Sequence, residues 1–219
     1  MKLYYDPIST VCRPVLLFIA EQGIAMEMEY VSLFEGQNYG ADFAALNPSK
    51  TVPLLVDGDL LLPESSAILQ YLADKAGSPA YPADLKARAR VNAALSWLKS
   101  NLYRDYGIGV YSQLLPKYAL SDPAAQAEMV AKSFERCGHW FAVLNDHMIG
   151  ERDFVCGDEI TLADYMALGV ITSGELVGFD LSRWPNVSRW LAAMKARPAW
   201  TEVDVAFQGW LTAIRTQAA

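Results

Sequence analysis

The chain has 219 residues, of which 53% are hydrophobic, and a formal net charge of −7. This length suits one or two domains with a sizeable core, and the acidic balance with scattered basic residues argues against nucleic-acid binding. No apolar run approaches the roughly 20 residues of a membrane span, so we expect no membrane partner. Three unpatterned cysteines and an N-terminus without signal-peptide features predict a reducing compartment, most simply the cytoplasm.

The first part of the chain alternates strand and helix signals. Lys2 to Tyr5 is predicted to be a strand. Val11 to Gln22 is predicted to be a helix, with Pro14 in the first turn, where its missing N–H is harmless, and Gly23 at the end. Met26 to Leu33 is a second predicted strand, so this part forms a β-α-β unit.

A hairpin follows. The apolar runs Leu54 to Val56 and Leu60 to Leu62 are separated by an Asp-Gly pair, the strongest short-range signal for two antiparallel strands. Pro53 stands at the start of the first run, where a proline need not donate to a sheet, and the Val52-Pro53 bond is a position suited to the cis isomer. The free backbone groups of Val52 would then bind an extended peptide like one more strand.

A helix is predicted from about Glu64, because apolar residues recur at helical spacing after it. Its free N–H groups and the hydroxyls of Ser65 and Ser66 suit a carboxylate, while the Glu64 carboxylate suits an ammonium group. One α-amino-acid head carries both groups. Taken alone this segment is an ordinary helix start, but its combination with Val52-Pro53 favours a site.

The second half of the chain is predicted to be all helical. A linker from about Gly77 leads to Asp84, which we expect to cap a long helix running toward Leu115. The further predicted helices run from Ser121 to about Ile149, Thr161 to Val177, Asn186 to Ala196 and Ala199 to Thr216. Pro198 separates the last two.

Four motifs together resemble one family. Tyr4 to Arg13 has the pattern Tyr-Tyr-x-Pro-x-Ser-x-x-Cys-Arg, Asn47 to Leu55 has Asn-Pro-x-x-x-Val-Pro-x-Leu, and Glu64 to Leu72 has Glu-Ser-x-Ala-Ile-x-x-Tyr-Leu. The fourth motif, Gly157 to Asp164, is similar to a buried capping box, in which Thr161 is expected to cap a helix and Asp164 to reach back to it. The combination closely resembles the cytosolic glutathione transferases of the serine type, the theta and delta classes and their bacterial relatives.

The resemblance implies a fold and a division into domains. Residues 1–76 are expected to form a thioredoxin-like domain in the order β-α-β-α-β-β-α, and residues 84–219 an α-helical bundle domain. Glutathione is expected in the first domain, with the electrophile against the second and the site in the cleft between them. Redox proteins of this fold begin the first helix with Cys-x-x-Cys; here Ser9 replaces the leading cysteine, so the reacting thiol has to come from a ligand.

The reaction implied by the resemblance is attack of the glutathione thiolate on a small electrophilic molecule. Ser9 is the expected hydrogen-bond donor to the sulfur, and Tyr5 is the competing donor. Lowering a thiol pKa of about 8.5 by about two units needs roughly 3 kcal/mol. One hydrogen bond to a charged sulfur supplies about 1.5 to 3 kcal/mol, and the positive end of a helix adds about 0.3 to 1 kcal/mol. These contributions suffice, so no metal is expected.

The resemblance also suggests which residues bind glutathione: Ser9, Asn38, Lys50, Val52, Pro53, Glu64 and Ser65. Val52 is expected to offer its backbone, and Glu64 and Ser65 to hold the γ-glutamyl end. Lys50 is either a contact to the glycine carboxylate or an exposed loop lysine. Asn38 stands where relatives often carry a histidine or another polar contact, which leaves recognition of the glycine end open.

The electrophile is expected to contact aromatic residues of the second half, namely Tyr103, Tyr106, Tyr111 and Trp210. The alternative interpretation is that such an aromatic stripe belongs to the core. A homodimer is expected by analogy with the family, with the long helix and the Glu64 helix at the interface.

Two other functions stay open. In the first, the chain is a non-catalytic binding module of the same fold within a protein complex. In the second, it is a specialised glutathione-dependent dehalogenase or ether-cleaving enzyme. The intact set of Ser9, Val52-Pro53 and Glu64-Ser65 favours a glutathione transferase of conjugation and detoxification.

Overall fold

The computed structural model describes residues 1–218 and divides the chain into two compact units. The first unit comprises Met1–Pro82 and the residues from Ala196 onward, and the second comprises Ala83–Lys195. The structure thus differs from the predicted division at the C-terminus. The last two helices group with the first unit because the helix that starts at Pro198 packs against the first helix of the chain.

The first unit contains the predicted β-α-β-α-β-β-α order, which is confirmed. Its elements are β1 (Lys2–Tyr5), α1 (Arg13–Gln22), β2 (Glu27–Tyr30), α2 (Ala41–Leu46), β3 (Leu54–Asp57), β4 (Leu60–Pro63), α3 (Ser65–Ala76), α9 (Pro198–Val203) and α10 (Val205–Ala218). The four strands form one sheet in the order β2-β1-β3-β4. β1 is parallel to β2 and antiparallel to β3.

Local signals explain most of these boundaries. α1 ends at Gly23, whose left-handed conformation closes the helix as predicted, and Gly58 supplies the positive φ that the hairpin turn needs. α1 begins at Arg13, two residues later than predicted. The reason is that the N–H groups of Cys12 and Arg13 both bond to the carbonyl of Ser9, which makes the preceding residues a turn.

The second unit is built from helices joined by loops. Its elements are α4 (Leu85–Trp97), a π-helical segment (Leu98–Tyr103), α5 (Arg104–Tyr111), a 3-10 turn (Pro116–Tyr118), α6 (Pro123–Val143), a second π-helical segment (Leu144–Ile149), α7 (Leu162–Thr172), a 3-10 segment (Ser173–Val177) and α8 (Pro185–Lys195). The predicted cap of the long helix is present, since Asp84 Oδ1 accepts a hydrogen bond from the Ala87 N–H at 2.8 Å. None of the helices formed by residues 1–218 combines the length and the apolar character needed to cross a lipid bilayer.

α7 forms the centre of the second unit, and all of its residues are buried. Its start is the predicted capping box between Thr161 and Asp164. The Asp164 carboxylate also accepts hydrogen bonds from the Val155 N–H at 2.8 Å and from Trp190 Nε1 at 3.0 Å. One buried carboxylate therefore joins the start of α7 to the preceding loop and to α8.

Gly174 lies against Tyr106 so closely that a methyl group there would overlap the tyrosine hydroxyl. Tyr106 is fully buried among neighbouring aromatic rings. We therefore predict that Gly174→Ala lowers the free energy of unfolding by about 3 kcal/mol or more, because overpacking forces the surrounding helices apart.

Gly138 provides the matched control for this substitution. It also lies in a helix of the second unit, but a methyl group added to it meets no atom within 4 Å. Gly138→Ala is expected to be neutral or stabilising by about 0.5 to 1 kcal/mol. Denaturant unfolding of both variants, followed by circular dichroism, measures the difference. Equal stability of the two variants would contradict the close packing.

Candidate functional site

Three segments meet at one end of the sheet of the first unit. Tyr4 of β1 lies opposite Leu54 of β3, and Leu54 lies opposite Pro63 of β4. The loop after Tyr5, the segment before Leu54 and the residue after Pro63 therefore share this end of the sheet. The predicted site residues in these segments are Ser9, Val52, Pro53, Glu64 and Ser65.

The loop after β1 is held by main-chain hydrogen bonds. The Ser9 N–H donates to the Asp6 carbonyl at 3.0 Å, and the Ser9 carbonyl accepts from the N–H groups of Cys12 and Arg13 at 3.1 Å each. The Cys12 N–H also lies 3.4 Å from Ser9 Oγ. Because this donor occupies one acceptor position of the hydroxyl, the hydroxyl proton points elsewhere. Ser9 is partly exposed.

Asp6 is a residue of this loop that the sequence analysis missed. Its side chain is buried and accepts hydrogen bonds from the Ile8 N–H at 3.0 Å and the Leu33 N–H at 2.9 Å. It therefore ties the loop that carries Ser9 to the segment after β2. The available signal was the Asp-Pro pair, since an aspartate before a proline favours a turn.

Cys12 is the thiol next to this loop. Burial raises the pKa of Cys12 to about 12, against weaker lowering by the Ser9 side chain and the Asp6 main chain. It is therefore a neutral thiol at neutral pH. Cys12 packs in one apolar cluster with Val52 and Phe43, so its place is in the core beneath the loop.

Val52 and Pro53 are both buried and joined by a cis peptide bond. β3 begins only at Leu54, so the main chain of Val52 lies outside the ladder of the sheet. This is the position from which a backbone can pair with an extended ligand.

Glu64 and Lys50 have an unusual backbone conformation. Their φ angles are 71° and 54°, and within residues 1–218 no other non-glycine residue has a positive φ. Such conformations are unfavourable for residues with a side chain and cluster at binding sites. Both residues belong to the predicted glutathione-binding set.

The hydroxyls at the start of α3 lack partners within the protein. Ser65 Oγ and Ser66 Oγ are both buried without a hydrogen bond to any described residue. Ser65 itself is only 2% exposed. A buried hydroxyl without a partner is destabilising, and at the first turn of a helix it is well placed to bind an anion.

Asn38 holds the backbone of Lys50. Its Nδ2 donates to the Lys50 carbonyl at 2.7 Å, and it is 4% exposed. Its Oδ1 is buried with no partner in the described part of the chain. Asn38 therefore supports the left-handed turn at Lys50, while the Lys50 side chain itself is exposed.

Comparison with known proteins identifies the family of this chain. The N-terminal domain family of glutathione S-transferases matches residues 3–80, and their C-terminal domain family matches residues 110–198. The chain belongs to the glutathione S-transferase family.

Individual sequences and solved structures support the same family. The chain is 34% identical to human glutathione S-transferase theta-2 over 200 residues, which are 90% of this chain and 81% of that protein. A human theta-class glutathione transferase, solved in complex with the glutathione conjugate of 1-menaphthyl sulfate, is 31% identical, with a TM-score of 0.88 over 99% of this chain and 91% of its own. A delta-class glutathione transferase from Nilaparvata lugens is 32% identical, with a TM-score of 0.83 over 97% of this chain and 99% of its own. The predicted family, fold and enzyme class are confirmed.

One predicted electrophile contact of this family member is a core residue. Tyr106 is fully buried in the second unit, edge-on to Phe141 at 5.3 Å and to Phe179 at 5.0 Å. Its hydroxyl donates to the Ile171 carbonyl at 3.3 Å. The prediction that Tyr106 contacts the electrophile is therefore corrected: other aromatic rings surround it, and no face of it is open within this unit.

The other aromatic residues of that set are less buried. Tyr103 and Tyr111 are partly exposed in the second unit. Trp210 belongs to the first unit, where it is partly exposed and lies edge-on to Phe34 at 5.3 Å between ring centres. These three residues stay predicted contacts of an electrophile.

Proposed function

We propose that this member of the family is a glutathione transferase in which the Ser9 hydroxyl stabilises the thiolate of bound glutathione for attack on a small electrophilic molecule. One observation carries the proposal. A partly exposed serine, Ser9, and two buried, unpartnered serine hydroxyls at a helix start stand at the same end of one sheet. The Ser9 hydroxyl suits a sulfur anion, and the hydroxyls of Ser65 and Ser66 suit a carboxylate.

The tripeptide would be held along this end of the sheet. Its α-carboxylate would accept hydrogen bonds from the hydroxyls of Ser65 and Ser66 and from the N–H groups of the first turn of α3. Its ammonium group would lie against the Glu64 carboxylate, and its cysteine backbone would pair with Val52. Lys50, held in place by Asn38, would meet the glycine carboxylate.

The chemical step needs a nucleophile and a stabilised charge. The glutathione thiol loses its proton to solvent, and the Ser9 hydroxyl donates a hydrogen bond to the sulfur anion that forms. The sulfur electron pair then forms a carbon–sulfur bond, and the leaving group departs with its bonding pair or, in a conjugate addition, the electrons move into the acceptor. Ser9 forms no covalent bond at any stage.

The proposal is tested by mixing the protein with glutathione and a panel of electrophiles that includes an aryl halide, an alkyl halide and a conjugated ketone. Product formation above the uncatalysed rate, together with ultraviolet absorbance of bound thiolate at neutral pH, is the expected result. Retention on a glutathione column without turnover of any electrophile would favour the non-catalytic binding module. Turnover of the alkyl halide alone would favour a dehalogenase.

Ser65→Ala is predicted to weaken glutathione binding by about 10- to 100-fold, because a hydrogen bond to a charged group contributes about 1.5 to 3 kcal/mol. The stability of the free protein should not fall, because the Ser65 hydroxyl is buried without a partner there. Calorimetric titration with glutathione and thermal unfolding of the free protein measure the two quantities.

Ser78→Ala is the matched control for this loss. Ser78 is a buried serine of the same unit, and its hydroxyl accepts a hydrogen bond from the Ala80 N–H. Removal of the Ser78 hydroxyl is expected to lower the thermal stability of the free protein slightly and to leave the affinity for glutathione unchanged. If Ser65→Ala binds glutathione with wild-type affinity, the α-carboxylate of glutathione does not bind at the start of α3.

A homodimer and a cytoplasmic location belong to the same proposal, and family membership supports both. Large exposed apolar side chains, including Leu61 and Leu85, are available on the two units for a subunit interface.

A further inference from the structure

Arg13 is a buried cation at the start of α1. It is fully inaccessible to solvent, and its Nη1 donates to Asp204 Oδ1 at 2.7 Å. Its guanidinium carbon lies 3.7 Å from the ring centre of Phe207 and 5.4 Å from that of Trp200. An arginine stays protonated at any ordinary pH, so its charge inside the protein requires a fixed anionic partner.

Asp204 stands at the junction of α9 and α10. Its N–H donates to the Trp200 carbonyl at 2.9 Å, and its carbonyl accepts from the Gln208 N–H at 2.9 Å. Gln208 Nε2 donates to the second carboxylate oxygen, Oδ2, at 2.8 Å. The main chain of Asp204 is therefore bonded to both C-terminal helices, and the carboxylate that meets Arg13 is bonded to Gln208 of α10.

The same arginine is bonded to the loop that carries Ser9. The Arg13 N–H donates to the Ser9 carbonyl at 3.1 Å, and the neighbouring Cys12 N–H contacts both the carbonyl and Oγ of Ser9. A displacement of the first turn of α1 would therefore displace the Ser9 hydroxyl. Hydrogen bonds weaken steeply when their length and angle change, so a small displacement is enough to matter.

We propose that Asp204 is a positioning residue for the Ser9 hydroxyl, acting through Arg13, so that the packing of α9 and α10 determines how well the protein stabilises a bound thiolate. This inference rests on the proposed function. It assigns to the C-terminal helices a part in the chemistry of the first unit that is separate from contact with an electrophile.

Position and charge predict opposite results when Asp204 is removed. If Arg13 and Asp204 act by position, loss of the carboxylate loosens the first turn of α1 and the thiolate is less stable. If the pair acts by charge, loss of the carboxylate leaves the positive Arg13 uncompensated, and the thiolate becomes more stable. The direction of the change in the thiol pKa therefore distinguishes a positional role of the Arg13–Asp204 pair from an electrostatic one.

In Asp204→Ala, we expect the pKa of the bound glutathione thiol to rise by about one unit, which, from a wild-type value of about 6.5, leaves roughly threefold less thiolate at pH 7. The turnover number should fall by the same factor at neutral pH and recover at higher pH. The affinity for glutathione should stay within about twofold of wild type, because other segments hold the tripeptide. Ultraviolet titration of the glutathione complex and calorimetry measure these quantities.

Asp204→Glu keeps the negative charge but moves the carboxylate by one methylene group. It is the variant to use if Asp204→Ala does not fold, and a smaller rise of the thiol pKa is expected. An unchanged thiol pKa in both foldable variants, or a fall in Asp204→Ala, would overturn the positioning role.

The control is the second ion pair between α1 and α9. Arg197 donates two hydrogen bonds to the Glu21 carboxylate, at 2.6 and 2.8 Å, at the far end of α1 from Ser9. Glu21→Ala should lower the thermal midpoint without changing the thiol pKa. An equal rise of the thiol pKa in Glu21→Ala would mean general loosening of the unit and would refute the inference.

The wild-type titration distinguishes this failure from that of the proposed function. An ordinary thiol pKa in the wild-type complex overturns the proposed function and this inference with it. A lowered thiol pKa in wild type that does not respond to Asp204 overturns the inference alone.

Discussion

Replacing Ser9 with alanine is expected to raise the pKa of the bound glutathione thiol by about one to two units. The lost hydrogen bond to the sulfur anion contributes about 1.5 to 3 kcal/mol, and each pKa unit corresponds to about 1.36 kcal/mol. From a wild-type thiol pKa of about 6.5, the rate of conjugation at pH 7 should therefore fall by about 3- to 25-fold. Affinity for glutathione should change little, because the substitution leaves the proposed contacts at the start of α3 and at Val52 unchanged.

The pH dependence gives this prediction a second readout. A variant that lacks only thiolate stabilisation regains activity as the pH rises through the higher thiol pKa, because the thiolate itself is still the nucleophile. The rate should therefore approach that of wild type above the new pKa. A rate that stays low at high pH would point to a displaced glutathione instead of a less acidic thiol.

Tyr5→Phe is the matched control, because Tyr5 is the competing donor. Its side chain packs against the apolar cluster beneath the loop and lies edge-on to Tyr30 at 6.4 Å. Phenylalanine retains these contacts and removes only the hydroxyl, so the thiol pKa should stay at the wild-type value. A larger effect of Tyr5→Phe than of Ser9→Ala would reassign the donor to Tyr5.

Removing the Asp164 carboxylate is expected to have the largest effect on stability. The carboxylate accepts hydrogen bonds from the Val155 N–H, the Thr161 N–H and hydroxyl, and Trp190 Nε1, at 2.8 to 3.0 Å. All of these donors are in the core of the second unit. In Asp164→Ala the donors lose their partner, and each buried unpaired group costs about 1 to 3 kcal/mol. We predict a loss of about 4 kcal/mol or more, a large share of the roughly 5 to 15 kcal/mol of a typical protein.

Asp84→Ala is the control for this prediction, since Asp84 is also an N-terminal helix cap of the second unit. Asp84 is exposed, and its side chain accepts a hydrogen bond from the Ala87 N–H. Its removal should cost about 1 kcal/mol. Soluble yield, the thermal midpoint and near-ultraviolet circular dichroism compare the two variants. Similar losses would mean that the carboxylate of Asp164 is an ordinary cap.

The buried position of Asp164 also has an electrostatic consequence. Burial raises the pKa of this carboxyl above its usual value, although the hydrogen bonds from Val155, Thr161 and Trp190 lower it. These donors favour the charged form, and burial opposes it. This explains why a substitution that keeps the shape but changes an acceptor into a donor, such as Asp164→Asn, is also expected to be destabilising.

Much of the fold follows from short stretches of sequence. The Asp-Gly pair between two apolar runs determined the hairpin, Gly23 the end of α1, and Asp84 the start of α4. Each of these signals acts on neighbouring residues through backbone conformation or a local hydrogen bond, so no distant part of the chain is needed to interpret it. The motifs around Ser9 and Glu64 identified the family for the same reason, because their residues lie close together in sequence.

Only the tertiary structure decided the role of Tyr106 and the partner of Arg13. Helical spacing places an aromatic residue on a face, but the helices that pack against that face determine whether it is core or surface, and Phe141 and Phe179 enclose Tyr106. Arg13 meets Asp204 across 191 positions of sequence. Such a contact exists only after the chain has folded, because burial of the charge makes the pairing necessary and no local pattern encodes it.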